Sequence, residues 1–342
     1  MLNFRIKYTT LLFLLEFLSF AFLVFGCGSV NGGRLPGFDV SPHFEEQYTS
    51  ATIQDDVKIL INAPSAKQFD PSKPTRLILY ALPNGNTLSQ TFGKKLKPGV
   101  DWHYGIQHIG AQTRRMREVI EEENIIVAYL EAGGRSWPAW RKKYPDSGKR
   151  IEETVEFVRR QIPGVDVSLE LSSHSGGGSF IFGYINNHDQ IPDDIMRISF
   201  LDANYGYSDE DKHGDKLVEW LGRNPKHFLN ILCYDDRNIK INGKPIVGPT
   251  GGTWRKTLLM IERIQKDIPL EKTQEQNLVR YRDKNRQVDI IMHTNPENKI
   301  LHTVLVGDYN GFIHTSTAGA KYEGKAAVFA GPAAYEKWIH SD

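Results

Sequence analysis

The sequence predicts an α/β fold in which a mostly parallel central sheet of about eight strands is covered by helices on both faces. Short apolar runs bounded by Pro and Gly recur from residue 57 onward, and amphipathic segments separate them. Strands that read as continuous apolar runs and alternate with helices are typical of such a sheet. The sequence shows no internal repeat and no low-complexity tract after residue 50, so we expect one domain over 51–342.

Eight apolar runs and five amphipathic segments define the expected elements. The strands are predicted at 57–62, 75–82, 124–132, 167–173, 196–203, 227–234, 287–293 and 300–307. The helices, with apolar residues at spacings of three and four, are predicted at 108–123, 150–162, 179–188, 215–223 and 253–268. We interpret the stretch around 237–285 as an insertion that borders the site.

Charge and composition exclude several classes of protein. The 42 basic and 41 acidic residues give a net charge of +1, so no overall field would attract nucleic acid. The sequence lacks metal-ligand spacings such as His-Glu-x-x-His, and the Gly-rich stretch 248–254 lacks the Lys of a nucleotide-binding loop, so we expect no metal or other cofactor. Cys233 lies within an apolar run, which predicts a buried thiol rather than a disulfide with Cys27.

Residues 1–27 have the order of an export signal. Arg5 and Lys7 precede an apolar run that ends in small residues at Cys27. The end of this run resembles a bacterial lipoprotein cleavage box, in which the cysteine becomes lipidated. We therefore expect an exported protein (secreted, periplasmic or cell-surface), with Cys27 as a candidate for lipidation and with membrane attachment only through the N-terminal signal or that lipid. Residues 28–50, rich in Gly, Ser and polar groups, are predicted to be a flexible tether.

The stretch LELSSHSGGGSFIFGYI, residues 169–185, takes the chain from a predicted strand into a predicted helix. A serine at the apex of a tight strand-to-helix turn has its hydroxyl pushed out of the surface, and the residues two before and two after it must be small. Ser175 meets this requirement, with Ser173 and Gly177 at the crowded positions. Ser179 does not, because Ile181 would be crowded. The pattern therefore predicts Ser175 as a nucleophile.

The segment from Ser173 to Gly177 resembles the nucleophile elbow of the α/β-hydrolase superfamily, Gly-x-Ser-x-Gly, with Ser in place of the first Gly. The resemblance covers about residues 57–340. It implies the α/β-hydrolase fold and an exported serine hydrolase that cleaves a carboxylic ester, in a small molecule or a polymer, through an acyl-enzyme on Ser175. The alternatives are a peptidase or amidase of the same fold and a catalytically inert binding protein.

The resemblance also implies an acid that follows Ser175 in the chain and orients a histidine base, since the order of the superfamily is Ser, Asp or Glu, His. Asp236 and Asp235, at the end of the strand predicted at 227–234, are the first candidates for the acid. Asp202, at the end of the preceding strand, is the reserve candidate. Aspartates at such positions also serve as caps or turn residues.

Three histidines compete for the role of base. The superfamily carries its base in the loop after the last strand, which selects His314, in the loop beyond the strand predicted at 300–307. His293, at the end of the strand predicted at 287–293, is the alternative. His302 is expected to be a residue of the last strand itself.

An oxyanion hole and a substrate-binding surface complete the predicted site. The resemblance implies one oxyanion donor at the amide of Gly176 and a second in the Pro-Asn-Gly turn after the strand at 75–82, at Asn84 or Gly85. Aromatic side chains in loops near strand ends offer stacking surfaces for a substrate. The residues predicted to contact substrate are Trp137, Tyr205 and His174.

Overall fold

The computed structural model describes residues 32–54, 56–162, 164 and 166–341. Within them, eleven strands form one sheet and two short strands form a separate hairpin. The strands are β1 (Asp39–Val40), β2 (Glu46–Ile53), β3 (Val57–Ser65), β4 (Thr75–Ala81), β5 (Asn124–Glu131), β6 (Val167–His174), β7 (Ile195–Leu201), β8 (Phe228–Tyr234), β9 (Lys240–Ile241), β10 (Lys244–Pro245), β11 (Leu270–Glu275), β12 (Leu278–Asp283) and β13 (Val288–His293).

The sheet has a parallel centre and antiparallel margins. Its strand order is β1-β2-β3-β5-β4-β6-β7-β8-β13-β12-β11. The six consecutive strands from β5 to β13 in this order are parallel to one another. The strands outside them pair in the antiparallel direction. The predicted α/β fold class is confirmed, and the sheet has eleven strands rather than about eight.

Helices cover both faces of the sheet. They are α1 (Leu88–Phe92), α2 (Ile109–Val119), α3 (Trp137–Lys143), α4 (Ser147–Arg160), α5 (Gly178–Asn187), α6 (His213–Arg223), α7 (Thr253–Ile264) and α8 (Gly311–Thr317). Successive side chains of a strand point to opposite faces. In β4, Leu77 and Leu79 accordingly pack into the core cluster that contains α3 to α7, whereas Ile78 and Tyr80 pack into the cluster that contains α2 and α8.

Residues 300–307, predicted as the last strand, form turns instead. The amide of Leu305 donates to the carbonyl oxygen of Leu301, and the amide of Gly307 donates to that of Thr303. Both edges of β13 are already paired, one with β8 and the other with β12, so this apolar segment has no free edge beside β13. β13 is therefore the last strand of the described chain, and His302 lies in the loop that follows it.

The described part of the predicted tether, residues 32–50, belongs to the folded domain. It forms β1 and the first half of β2, and the side chains of Leu35 and Phe38 are buried in the core. The Gln47 side chain donates to the carbonyl oxygens of Gly33 and Pro64. The polar composition of this segment thus reflects strands near the margin of the sheet, whose side chains are partly exposed.

The predicted export signal, residues 1–27 with Cys27, lies outside the described residues and stays a prediction. In the part of the chain that the structure describes, no helix is long and apolar enough to cross a membrane. The predicted insertion at 237–285 contains β9, β10, α7, β11 and β12. Met260 and Ile264 of α7 are buried in the core, and β12 pairs with β13, so this segment is built into the domain.

Candidate active site

Ser175 stands at a sharp change in backbone direction. β6 ends at His174, a short 3₁₀ turn spans Ser175–Gly177, and α5 begins at Gly178. The φ angle of Ser175 is 54°, in the left-handed region that a residue with a side chain occupies at an energetic cost. Ser175 is partly exposed. The backbone therefore follows the strand-turn-helix path that the motif predicts.

The glycines after Ser175 let this turn fit between two neighbouring strand ends. A Cβ atom on Gly177 would lie 2.1 Å from the carbonyl oxygen of Ala81, at the end of β4. A Cβ atom on Gly178 would lie 1.7 Å from the carbonyl oxygen of Ala203, just after β7. Both contacts are with backbone atoms, which leave no room for a side chain. The turn thus lies directly against the loops that follow β4 and β7.

Gly178→Ala is expected to destabilise the protein by about 3 kcal/mol or more, because the new methyl group forces the start of α5 away from β7. Denaturant unfolding monitored by circular dichroism measures this loss. Gly222→Ala is the matched control, because Gly222 lies in α6 with no atom within 4 Å of the added Cβ. The control is expected to be neutral or slightly stabilising. Equal stability of the two variants would contradict the close contact at Gly178.

Asp202 and His302 form a hydrogen-bonded pair at the edge of the sheet where β6 and β7 end. Asp202 directly follows β7, is fully buried, and accepts a hydrogen bond at Oδ2 from Nδ1 of His302. A carboxylate on Nδ1 fixes the tautomer of a neutral imidazole and leaves Nε2 as the proton acceptor. The His302 side chain is 24% exposed. The pair is therefore buried at the carboxylate and open to solvent at the imidazole.

His174 links this pair to the elbow. Its ring packs against the His302 ring with centroids 4.4 Å apart, and its Nε2 donates to the carbonyl oxygen of His302 at 3.1 Å. His174 immediately precedes Ser175, so these contacts bring His302 beside the turn. Burial, followed by the neighbouring His302, holds the pKa of His174 well below its usual value. His174 is thus a buried packing residue, which has almost no exposed surface to offer the substrate that it was predicted to contact.

His314, the predicted base, lies elsewhere. It is buried in α8, and its Nε2 is 2.9 Å from Oδ2 of Asp289 in β13. β13 is three strands away from β6, about 14 Å at the usual strand spacing, and Asp289 is level with Ser172 rather than with Ser175. The structure therefore pairs His314 with the carboxylate of Asp289, whereas the histidine that packs beside the elbow is His302. The error arose from interpreting residues 300–307 as a strand.

His293, the alternative base, is engaged at the end of β13. Its Nδ1 accepts a hydrogen bond of 3.0 Å from the amide of Asn295. Burial lowers the pKa of its imidazole. Its described hydrogen bonds include none with an aspartate, so it lacks the carboxylate partner that the predicted role requires.

The two favoured acids, Asp235 and Asp236, have partners other than a histidine. The Asp235 carboxylate pairs with the guanidinium of Arg237 at 2.6 Å. Asp236 is fully buried, and its Oδ2 accepts from the amide of Thr253 at 2.9 Å. Burial and, after it, the neighbouring Asp202 raise the pKa of Asp236 to about 6. Among the described residues neither carboxylate is hydrogen-bonded to a histidine, whereas that of Asp202 is.

The predicted oxyanion donors are only partly brought together. A Cβ atom on Gly176 would lie 2.2 Å from Oδ1 of Asn84, so the turn after β4 does reach the elbow. The amide of Gly85, in contrast, donates to the carbonyl oxygen of Arg135 at 2.9 Å. Gly85 therefore has a structural partner and is not a donor for an oxyanion. Gly176 and Asn84 remain the candidates.

The two predicted aromatic contacts have different environments. Trp137 begins α3, is 1% exposed, and donates from Nε1 to the carbonyl oxygen of Leu130 at 3.2 Å, so it is a core residue and not a substrate platform. Tyr205 lies in the short turn Asn204–Gly206 after Asp202 and is 36% exposed. Burial of its hydroxyl, then Asp202 and Asp236, raise the pKa of Tyr205 well above its usual value. Tyr205 remains the candidate for a substrate contact.

The comparisons with known proteins concern structure alone. No protein-family model matches the sequence, and no curated protein matches it. The structure is similar to that of a thermostable esterase at 12% sequence identity and a TM-score of 0.44, over 76% of this chain and 59% of the esterase. It is similar to an S-formylglutathione hydrolase from Agrobacterium tumefaciens at 10% identity and a TM-score of 0.39, over 77% of this chain and 91% of that one.

A siderophore hydrolase, EstB from Aspergillus nidulans, is similar at 11% identity and a TM-score of 0.37, over 79% of this chain and 92% of that one. All three TM-scores are below 0.5, and the chain spans about three fifths of the thermostable esterase. The residues of the site define the molecule further: it is an α/β protein with a serine at a strained strand-to-helix turn and a histidine–carboxylate pair beside that turn.

Proposed function

We propose that Ser175, His302 and Asp202 form the catalytic triad of a serine hydrolase that cleaves a carboxylic ester. The observation that carries the proposal is the Asp202–His302 pair, whose imidazole packs on the residue immediately before the strained serine. A nucleophilic serine requires a base and a group that holds this base in the right tautomer. The chain order Ser175, Asp202, His302 is the order of the α/β-hydrolase superfamily.

The reaction proceeds in two steps on these residues. The Ser175 hydroxyl attacks the acyl carbonyl while Nε2 of His302 takes its proton, and Asp202 stabilises the imidazolium through Nδ1. Backbone amides at Gly176 and Asn84 bind the oxyanion of the tetrahedral intermediate. His302 returns the proton to the departing alcohol, which leaves an acyl ester on Ser175. Water, deprotonated by His302, then releases the acid and restores the serine.

A fluorophosphonate probe tests the proposal, because it forms a stable adduct only with an activated serine. We expect stoichiometric labelling of the wild type, with the adduct mapped by mass spectrometry to Ser175. Ser179→Ala is the matched control and is expected to label like the wild type, because Ser179 is the second residue of α5 and its hydroxyl contacts Arg141. A folded wild type that resists the probe would overturn the proposal and favour an inert binding protein.

The same preparation distinguishes ester from amide cleavage. Nitrophenyl esters of graded acyl length and acetylated sugars are assayed beside aminoacyl anilides. We expect turnover of at least one ester and little turnover of the anilides. Preferential cleavage of the anilides would instead identify a peptidase or amidase that uses the same triad.

A further inference from the structure

Asp236 and Thr253 connect to the proposed triad from the side away from His302. The hydroxyl of Thr253 donates to Oδ1 of Asp202, and the amide of Thr253 donates to Oδ2 of Asp236. Thr253 thus joins two buried carboxylates, one of which holds the imidazole of His302. All three residues of this chain, Asp236, Thr253 and Asp202, are fully buried.

The local structure at the start of α7 is built around the second carboxylate. Gly252 has a φ angle of 94°, and a Cβ atom there would lie 2.5 Å from Oδ1 of Asp236. The Asp236 carboxylate lies at the N-terminus of α7, where free backbone amides favour a negative charge. Its Oδ1 has no hydrogen-bond partner among the described residues. A buried, half-satisfied carboxylate is costly, which argues for a role beyond capping one helix.

We propose that Asp236 and Thr253 are positioning residues of the active site: Asp236 fixes the first residue of α7, and Thr253 holds Asp202 in the orientation that binds His302. The inference rests on the proposed function, because it concerns the same catalytic pair. A hydroxyl bonded to one carboxylate oxygen leaves the other oxygen directed at the imidazole. The negative charge of Asp236 adds to that of Asp202 and favours the imidazolium that forms during proton transfer.

The charge of the Asp236 carboxylate changes near pH 6. Burial, then Asp202, raise the pKa of Asp236 to about 6, so its carboxylate is mostly neutral below pH 6 and charged above it. Once charged, the Asp236 carboxylate attracts the positive charge that the imidazole of the proposed base carries after it takes a proton. Loss of this charge should therefore move the acidic limb of activity to lower pH. The groups that face Asp236 are Asp202, Asp235, Arg237, Tyr205, Tyr234 and Cys233.

Thr253→Val tests the hydrogen bond to Asp202, because valine has the same shape and keeps the amide. We expect kcat for an ester to fall about tenfold with KM unchanged, as for the loss of one hydrogen bond to a charged group. Thr253→Ser, which restores the hydroxyl, should recover most of the rate. An unchanged kcat in Thr253→Val, or a Thr253→Ser variant as slow as Thr253→Val, would overturn the inference.

Asp236→Asn tests the charge independently of Thr253. The acidic limb of the pH profile of kcat/KM should move to lower pH by about 0.5 unit. Asp235→Asn is the matched control, because it removes the same charge from the neighbouring residue. The carboxylate of Asp235 is paired with Arg237. Identical profiles for the two variants would overturn the inference. A wild type that neither hydrolyses esters nor takes the fluorophosphonate would overturn the proposed function, and the inference with it.

Discussion

Ser175→Ala is expected to lower kcat for an ester about 10⁶-fold, the loss seen when a serine enzyme is deprived of its nucleophile. Ser172 and Ser173 are buried in β6 and Ser179 lies in α5, so we expect none of these neighbouring serines to replace it. Steady-state kinetics on a nitrophenyl ester measures the loss. The background rate in buffer sets its lower limit.

The stability of the Ser175 variants provides the control. Alanine at a φ of 54° carries the same backbone strain as serine, so Ser175→Ala should unfold at the denaturant concentration of the wild type. Ser175→Gly should be equally inactive and more stable by about 1 kcal/mol, because glycine adopts this conformation without strain. An active Ser175→Ala variant would show that the hydroxyl of Ser175 does not attack the substrate.

His302→Ala is expected to lower kcat about 10⁴-fold or more, because the serine then has no base and Asp202 has no imidazole to orient. Labelling by the fluorophosphonate should slow in parallel. Asp202 would be left buried without the imidazole partner of its Oδ2 atom, so a moderate loss of stability is also expected. The measurement is kcat/KM on the ester together with the rate of labelling.

His314→Gln is the comparison that separates the two histidines. The pair of His314 with Asp289 is buried, and removing the imidazole should cost about 1–3 kcal/mol of stability. Activity per folded molecule should remain within a few-fold of the wild type, because Nε2 of His314 is bound to Asp289 of β13, three strands away from β6. Retained activity in His302→Ala, with its loss in folded His314→Gln, would reverse the assignment of the base.

The local features of the site follow from the sequence. A tight turn from a strand into a helix requires small residues around its apex, and only Ser175 among the serines of 169–185 satisfies that requirement. The parallel strands of the sheet centre read as apolar runs because both faces are covered. The outermost strands carry no such signal. β11, whose side chains are mostly exposed, reads as a polar segment and was not predicted.

The partners that we propose for Ser175 could be chosen only from the tertiary structure. His302 and His314 both follow Asp202 in the chain, so chain order alone could not separate them. The segment at 300–307 is apolar enough for a strand. It forms a loop because both edges of β13 are already paired with other strands. Likewise, Asp235 and Asp236 both follow β8 directly. Asp235 is paired with Arg237 and Asp236 accepts from the amide of Thr253, and neither is hydrogen-bonded to a histidine among the described residues.

By itself the sequence determined what depends on neighbouring residues: the parallel core of the sheet, the helices between its strands, and the strained serine with its glycines. Only the tertiary structure decided which distant side chains meet, because strand pairing and burial are shared between segments far apart in the chain. In the structure Asp202 is hydrogen-bonded to His302, and Trp137 is buried in the core. The reason is physical. Steric limits on the backbone act within a few residues, whereas a hydrogen bond between distant side chains requires that the whole sheet bring them together.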